Sequence, residues 1–199
     1  MDSDALREVQ QLASADPQQR TAALARLVGL GPRATDAIVA ALPASAAGMR
    51  PLLAQALAEI ADPRSAATLA QLLADPDPQV RGRGAQGLAA LRDPRAADAL
   101  AATIDDLPDL LHHPHTVATY ALISQGAAAL ASVLPLLRSA DLLTRTRAWL
   151  VWHSVVSAEP GVSWAALWQQ LGSYAPDAPL APREAAAQQW AQWLAARRP

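Results

Sequence analysis

The sequence repeats itself with a period of 31 residues. Three short Pro-Arg-Ala or Pro-Arg-Ser segments begin at Pro32, Pro63 and Pro94, each 31 positions after the last. Large aliphatic residues recur six and ten positions after each proline, namely Ile38, Leu69 and Leu100, then Leu42, Leu73 and Ile104. A period of this length is typical of architectures in which each unit packs mainly on its neighbours. The period therefore predicts a stacked array of similar units.

Each repeat is predicted to contain two helices. Asp77-Pro78 and its counterpart Asp16-Pro17 precede the first helix, where aspartate can cap the end and proline suits the first turn. The proline of the Pro-Arg segment opens the second helix. Alanine and leucine dominate the chain and favour helix throughout. Because one pair of short helices cannot bury its apolar surface alone, we expect neighbouring pairs to stack into an all-α solenoid.

The third repeat resembles a known family. It combines the Asp-Pro start, Val80-Arg81, an alanine- and leucine-rich helix, and then Asp93-Pro94-Arg95. This pattern is similar to HEAT-like repeats of the phycobilisome lyase type, and the similarity covers residues 15–104 best. The resemblance implies a right-handed α-solenoid of antiparallel helix pairs whose second helices line the concave face.

The later repeats follow from the same spacing. Gly126 lies 32 positions after Pro94, and Arg145 lies 64 positions after Arg81. We therefore predict a single domain, residues 1–199, with about five helix pairs and a C-terminal capping helix after a proline-rich linker. The predicted repeats are 15–42, 46–74, 75–104, 109–137 and 141–171, and the predicted cap is 183–197.

Composition excludes several classes of protein. The chain has no cysteine, which rules out disulfides and cysteine metal sites. Its net charge of −2 lacks the cationic excess that nucleic-acid binding requires. The stretch 110–137 has no Asp, Glu or Arg, but Gly126 interrupts it, so we interpret it as two buried helices and not a membrane span. With no secretory signal recognised, we expect a bacterial, cytoplasmic, monomeric protein.

All six tryptophans lie in the last quarter of the chain, in pairs at helical spacing. An aromatic binding cleft is one interpretation of these pairs. We favour core packing in an atypical terminal repeat, because an array must cover its open apolar end. The pairs are Trp149 and Trp152, Trp164 and Trp168, and Trp190 and Trp193.

Three histidines lie close to three aspartates, His112, His113 and His115 near Asp105, Asp106 and Asp109. Imidazole and carboxylate groups can bind zinc or nickel. However, no two of these histidines are four residues apart, and Pro114 marks the start of a helix. We therefore predict no metal site and no cofactor.

Arginine recurs at one position of the repeat, as Arg20, Arg50 and Arg81. A row of guanidinium groups could bind anions. We favour an internal ladder, in which arginine donates to loop carbonyls and to the carboxylates of Asp62 and Asp93, since the fork of arginine suits fixed bidentate contacts.

The second helices carry the candidate functional surface. The positions one, four and eight after each proline should point away from the core, and the partner-binding residues that we predict there are Arg33, Asp36, Arg64, Gln71, Arg95 and Asp98. No catalytic motif is found. We expect a non-enzymatic scaffold or adaptor that binds a protein on the concave face. The alternatives are a bilin lyase or chaperone-like subunit, and a HEAT-like alkylpurine DNA glycosylase.

Overall fold

A computed structural model describes residues 2–197, and no β-strand forms within that range. The predicted all-α architecture of helix pairs is confirmed. The chain divides into two compact units, Met1–Ala99 (unit 1) and Leu100–Pro199 (unit 2). Residues 1 and 198–199, the ends of the predicted 1–199 domain, lie outside the described residues.

Unit 1 consists of helices whose neighbours in space follow the repeat order. Helix α4 packs on both α2 and α6, and α5 packs on α6. The helices are α1 (Ser3–Gln11), α2 (Pro17–Leu30), α3 (Thr35–Ala41), α4 (Arg50–Ile60), α5 (Ala66–Leu72) and α6 (Pro78–Ala90), with α7 (Ala96–Ala102) across the boundary of the units.

The predicted helix starts are confirmed for the first helices. The Asp16 and Asp77 carboxylates each accept a hydrogen bond, 2.8 Å long, from the backbone two residues later, and proline occupies the first turn. The second helices begin three residues later than their prolines, because Gly31–Arg33 and Pro63–Ser65 form a tighter helical turn first.

The core of unit 1 uses the predicted aliphatic positions. Ile38 and Leu69 are fully buried, as are Leu27, Leu57 and Leu88 of the first helices. Helix α6 lies so close to α5 that a Cβ atom on Gly84 would come within 2.8 Å of the Leu69 carbonyl oxygen. The close approach therefore requires glycine at this position.

An additional helix precedes the first predicted repeat. Helix α1 packs on α2 and α3 and buries Ala5, Val9 and Leu12. Asp2 caps it by accepting from the backbone of Asp4 and Ala5. This helix covers the apolar side that the first repeat would otherwise expose, as terminal units of repeat proteins must.

Unit 2 contains α8 (Val117–Gln125), α9 (Leu130–Val133), α10 (Leu142–Ser157), α11 (Trp164–Gln170) and α12 (Leu180–Ala195). Helix α10 packs on α8 and α9. Helix α12 begins at Leu180, three residues before the predicted start of the cap at Arg183. Pro182 fits within its first turn because the amide hydrogens there have no partner inside the helix.

The prediction that Pro114 starts a helix is wrong. Helix α8 begins at Val117, because the Thr116 hydroxyl accepts from the Thr119 amide at 3.1 Å and the Thr119 hydroxyl caps Thr116 in return. Residues 105–116 instead form a loop.

The segment Val117–Arg138 is the one part of the described chain with the length and apolar character of a membrane-spanning helix. As predicted, it breaks at Gly126, whose φ of +64° ends α8. Leu122, Leu130 and Val133 are buried within unit 2. A cytoplasmic location stays a prediction.

The core interpretation of the tryptophans is confirmed for two of the six. Trp152 and Trp190 are fully buried, whereas Trp149, Trp164, Trp168 and Trp193 are partly exposed. The Trp190 ring on α12 lies 5.5–5.8 Å from four other indole rings, those of Trp149, Trp152, Trp164 and Trp193. Helix α12 therefore covers the aromatic side of α10.

Candidate functional site

The six candidate residues are all solvent-exposed. Ile38 and Leu69, on the opposite sides of the same helices, are fully buried. The prediction that the candidate positions point away from the core is therefore confirmed. The exposed side of α3 and α5 with their preceding loops, called the second-helix face below, carries Arg33, Asp36, Ala40, Arg64, Ala67 and Gln71.

Arg64 connects two successive repeats. Its guanidinium donates to the Asp36 carboxylate at 3.0 Å and to the Pro32 carbonyl at 2.6 Å, both in the preceding repeat. It also donates to Asp62 in its own loop at 2.7 Å. Although it points away from the core, Arg64 contributes to the packing of the repeats, because three acceptors from two repeats converge on it.

Asp62 accepts hydrogen bonds from both Thr35 and Arg64. Its buried carboxylate accepts from the Thr35 hydroxyl at 2.8 Å and from the Arg64 side chain and backbone. The hydrogen bond from the Arg64 side chain lowers the pKa of Asp62 to about 2, and the same pair raises the pKa of Arg64. Asp62 is therefore ionised, and the loop before α5 is held in one position.

The equivalent arginines bind different partners. Arg33 pairs with Asp2 at 2.7 Å, and Arg95 pairs with Asp93 at 2.6 Å in its own loop. The bond from Arg95 lowers the pKa of Asp93 to about 2. Arg95 has no carboxylate to match Asp36, because the corresponding position of the second repeat is Ala67. The structure thus brings Arg64 and Asp36 together but leaves Arg33 and Arg95 in separate pairs.

A cleft of about 350 Å³ lies between α3 and α5. Of the six candidate residues, Gln71 lines this cleft. Asp98 is exposed on α7 and does not line it. Sequence reasoning missed the other lining residues, although their helical spacing beside the buried leucines could have indicated them. They are Val39, Leu42, Pro43, Arg50, Thr68, Leu72, Ala74, Asp75 and Pro76.

One ion pair borders this cleft. Arg50 donates to the buried carboxylate of Asp75, which also accepts from the Asp77 backbone at 2.9 Å. The Arg50 Nε atom is buried and makes no hydrogen bond. The cleft therefore combines apolar walls with a fixed guanidinium group and the Gln71 amide.

The family model for HEAT repeats matches residues 35–113. Residues 35–113 therefore contain HEAT-like repeats. The matched segment begins with α3 and includes α4 to α7, so the cleft lies within it. The match is to HEAT repeats in general and does not identify the phycobilisome lyase type. No curated protein matches the sequence.

Three of the arginines at the recurring position bind loop carbonyls. Arg20, Arg81 and Arg145 each donate to the carbonyls five and six residues earlier, at 2.8–3.1 Å. This part of the predicted ladder is confirmed for Arg20 and Arg81, whereas Arg50 donates to the carboxylate of Asp75. The carboxylates of Asp62 and Asp93 pair with Arg64 and Arg95, the arginines two residues after them.

One of the three histidines before α8, His112, pairs with Asp109. His112 Nδ1 lies 2.9 Å from the Asp109 carboxylate, and this bond lowers the pKa of Asp109 to about 2. Within residues 2–197, no three His, Asp or Glu side chains come together as metal ligands.

Proposed function

We propose that this chain is a non-enzymatic protein-interaction scaffold that binds its partner on the second-helix face. HEAT repeats commonly serve as interaction scaffolds. The observation that supports the proposal is a cleft between α3 and α5 on an exposed surface of mixed charge. Arg95 and Asp98 of the next repeat are included in the proposed contact surface.

The rigidity of this face supports binding. Asp62 and Arg64 fix the loop before α5 to the preceding repeat through several short hydrogen bonds. A surface that is already ordered loses little conformational freedom on association. The partner therefore meets an ordered surface at the start of α5.

The chemistry of the cleft suits a protein segment. Val39, Leu42 and Leu72 supply apolar walls, and the Thr68 hydroxyl and the Gln71 amide can exchange hydrogen bonds with a polypeptide backbone. An apolar side chain of the partner would occupy the cleft. Mixed charges around it would select the partner through complementarity.

We also propose that the protein is a cytoplasmic monomer and that it needs no cofactor. Its partner is a protein and not a nucleic acid or a membrane. No contact described on this face supports either of the two alternatives, a bilin lyase subunit or a DNA glycosylase.

A matched pair of variants tests the proposed surface. Ala40→Arg combined with Ala67→Arg places two long cations on the exposed sides of α3 and α5. Ala25→Arg combined with Ala90→Arg makes the same change at exposed positions of the first helices α2 and α6. Tagged wild type and both variants are used for quantitative capture from a lysate of the source cells.

The proposal expects a protein that wild type and the first-helix variant capture and the second-helix variant does not. Equal capture by all three proteins, or loss only with the first-helix variant, would place the interaction elsewhere.

A further inference from the structure

We propose that Arg50 determines the specificity of the cleft between α3 and α5, because it donates hydrogen bonds to backbone carbonyls of an extended, uncharged segment of the partner. An apolar side chain of that segment occupies the cleft. This inference rests on the proposed function and names the chemistry by which the cleft recognises its partner.

The arginines at the recurring position of the repeat show what such a guanidinium binds elsewhere in the chain. Arg20, Arg81 and Arg145 are each the fourth residue of their helix. In all three, the Nη1 atom donates to two backbone carbonyls of the preceding loop, at 2.8–3.1 Å. One Nη1 group at this position therefore holds a pair of carbonyl oxygens that an irregular segment of chain presents to it.

Arg50 is the exception among these arginines. It is the first residue of α4 and not the fourth, since no Asp-Pro pair precedes it and Met49 makes no side-chain capping bond. The corresponding loop carbonyls are those of Ala44 and Ser45. Within the described chain, the guanidinium donates to neither of them, and its hydrogen bond runs from Nη2 to the Asp75 carboxylate. The Nη1 group of Arg50 therefore lacks the pair of carbonyls that the other three arginines bind.

This open donor borders the cleft. Arg50 is one of the lining residues, and its side chain is 35% exposed. Its Nε atom is buried without a hydrogen bond, whereas the unpaired Nη1 atom remains accessible to solvent. A hydrogen bond from a charged donor is stronger than one between neutral groups. An acceptor that enters the cleft therefore gains a charge-assisted bond at Nη1.

The ion pair of Arg50 favours a neutral acceptor over an anion. The Asp75 carboxylate lines the same cleft, is 3% exposed, and also accepts from the Asp77 amide at 2.9 Å. It neutralises Arg50, so a second carboxylate in the cleft would meet a like charge. A backbone carbonyl accepts hydrogen bonds without carrying a charge. The cleft therefore selects an internal segment of a partner over its C-terminal carboxylate or an acidic side chain.

The cleft has the size and rigidity that such a segment needs. Its volume of about 350 Å³ lies near the lower end of the range for ligand pockets, about 300–1,000 Å³. Arg81 fixes one edge of it, because this arginine binds the Asp75 and Pro76 carbonyls at 3.1 and 3.0 Å. One apolar side chain with its flanking peptide groups therefore suits the space.

The test measures the binding of short peptides to the full chain by NMR titration. The main peptide, N-acetyl-Ala-Leu-Ala-amide, has one large apolar side chain, several carbonyls and no charge. N-acetyl-Ala-Ala-Ala-amide lacks the large side chain, and N-acetyl-Ala-Leu ends in a free carboxylate. The side-chain signal of Arg50 and the methyl signals of Leu42 and Leu72 report contact with the cleft.

Two variants separate the role of Arg50 from a general effect of losing an arginine. Arg50→Gln combined with Asp75→Asn removes the guanidinium and its partner together, so that no buried carboxylate is left without its cation. Arg20→Gln is the matched control at the same position of the repeat, where Nη1 already binds loop carbonyls. Circular dichroism checks the folding of both variants.

We expect the main peptide to shift the Arg50 signal of wild type and to bind the double variant about tenfold more weakly. Arg20→Gln should bind it as wild type does. The other two peptides should bind wild type more weakly than the main peptide. The shift of the Arg50 signal is measured on wild type, so it tests the contact even where the double variant does not fold.

Three results would overturn the inference. They are an Arg50 signal that the main peptide does not shift, equal affinity of wild type and the folded double variant, and tighter binding of the peptide with the free carboxylate. Lysate capture is a separate measurement. Its loss in the Ala40→Arg and Ala67→Arg variant supports the proposed function even where the peptide results overturn the role of Arg50.

Discussion

Arg64 donates a hydrogen bond to the carboxylate of Asp36, 3.0 Å away in the preceding repeat. Twenty-eight residues separate the two in sequence. The same guanidinium donates to Asp62 and to the Pro32 carbonyl, so one exposed arginine connects two repeats. Exposure at this position therefore does not imply that the side chain is free for a partner.

Arg64→Ala should lower the melting temperature more than Arg33→Ala does. Arg64 has three acceptors in two repeats, whereas the ionic partner of Arg33 is Asp2 at the N-terminus. Removing Arg64 also leaves the buried Asp62 carboxylate without its cation. Thermal unfolding followed by circular dichroism measures both shifts, and equal shifts would contradict the connecting role.

Gly84→Ala should destabilise the chain by about 1–3 kcal/mol, although alanine is the better helix former. The added Cβ would lie 2.8 Å from the Leu69 carbonyl oxygen and 3.0 Å from Leu72 Cβ. The control is Gly29→Ala in α2, where a Cβ meets no atom within 4 Å.

For that control, helix propensity predicts a gain of about 0.5–1 kcal/mol. Urea unfolding gives both free energies, and a stabilising effect of Gly84→Ala would show that α5 and α6 are less closely packed.

Arg92→Gly should stabilise the chain by about 0.5–1 kcal/mol. Arg92 follows α6 with φ of +54°, in the left-handed region that glycine adopts without strain. The Asp93 amide donates to the Leu88 carbonyl across this turn, as in a glycine-terminated helix. Arg92→Ala keeps the strained conformation and should show no such gain; if both variants gain equally, removal of the arginine side chain and not the backbone is the cause.

Acid should destabilise the chain between pH 4 and pH 2, partly through Asp62. Its pKa is about 2 in the folded chain, below the ordinary value of 3.8, so the folded state binds fewer protons in this range. The stabilisation is complete above about pH 4 and is lost as pH falls through the folded pKa. Asp62→Asn should flatten this part of the stability profile, and a curve parallel to wild type would contradict the assignment.

The sequence predicted the features that depend on local chemistry or on the period. Asp16 and Asp77 cap their helices, Gly126 breaks the apolar stretch, and Ile38 and Leu69 are buried, because each outcome follows from neighbouring residues or from the repeat.

Features that depend on long-range approach were not predicted. Helix α1 lies outside the repeat pattern, and Gly84 is explained only by the position of α5. The role of Arg64 requires two carboxylates that meet in space, and the loop 105–116 departs from the repeat altogether.

The dissociation constant of a captured partner for three proteins tests the proposed function most directly. Calorimetry compares wild type, the Ala40→Arg and Ala67→Arg variant of the second-helix face, and the Ala25→Arg and Ala90→Arg control, after circular dichroism has shown equal folding. The account predicts at least tenfold weaker binding, about 1.4 kcal/mol, for the second-helix variant alone. Unchanged affinity of that variant, with loss in the first-helix control, would contradict it.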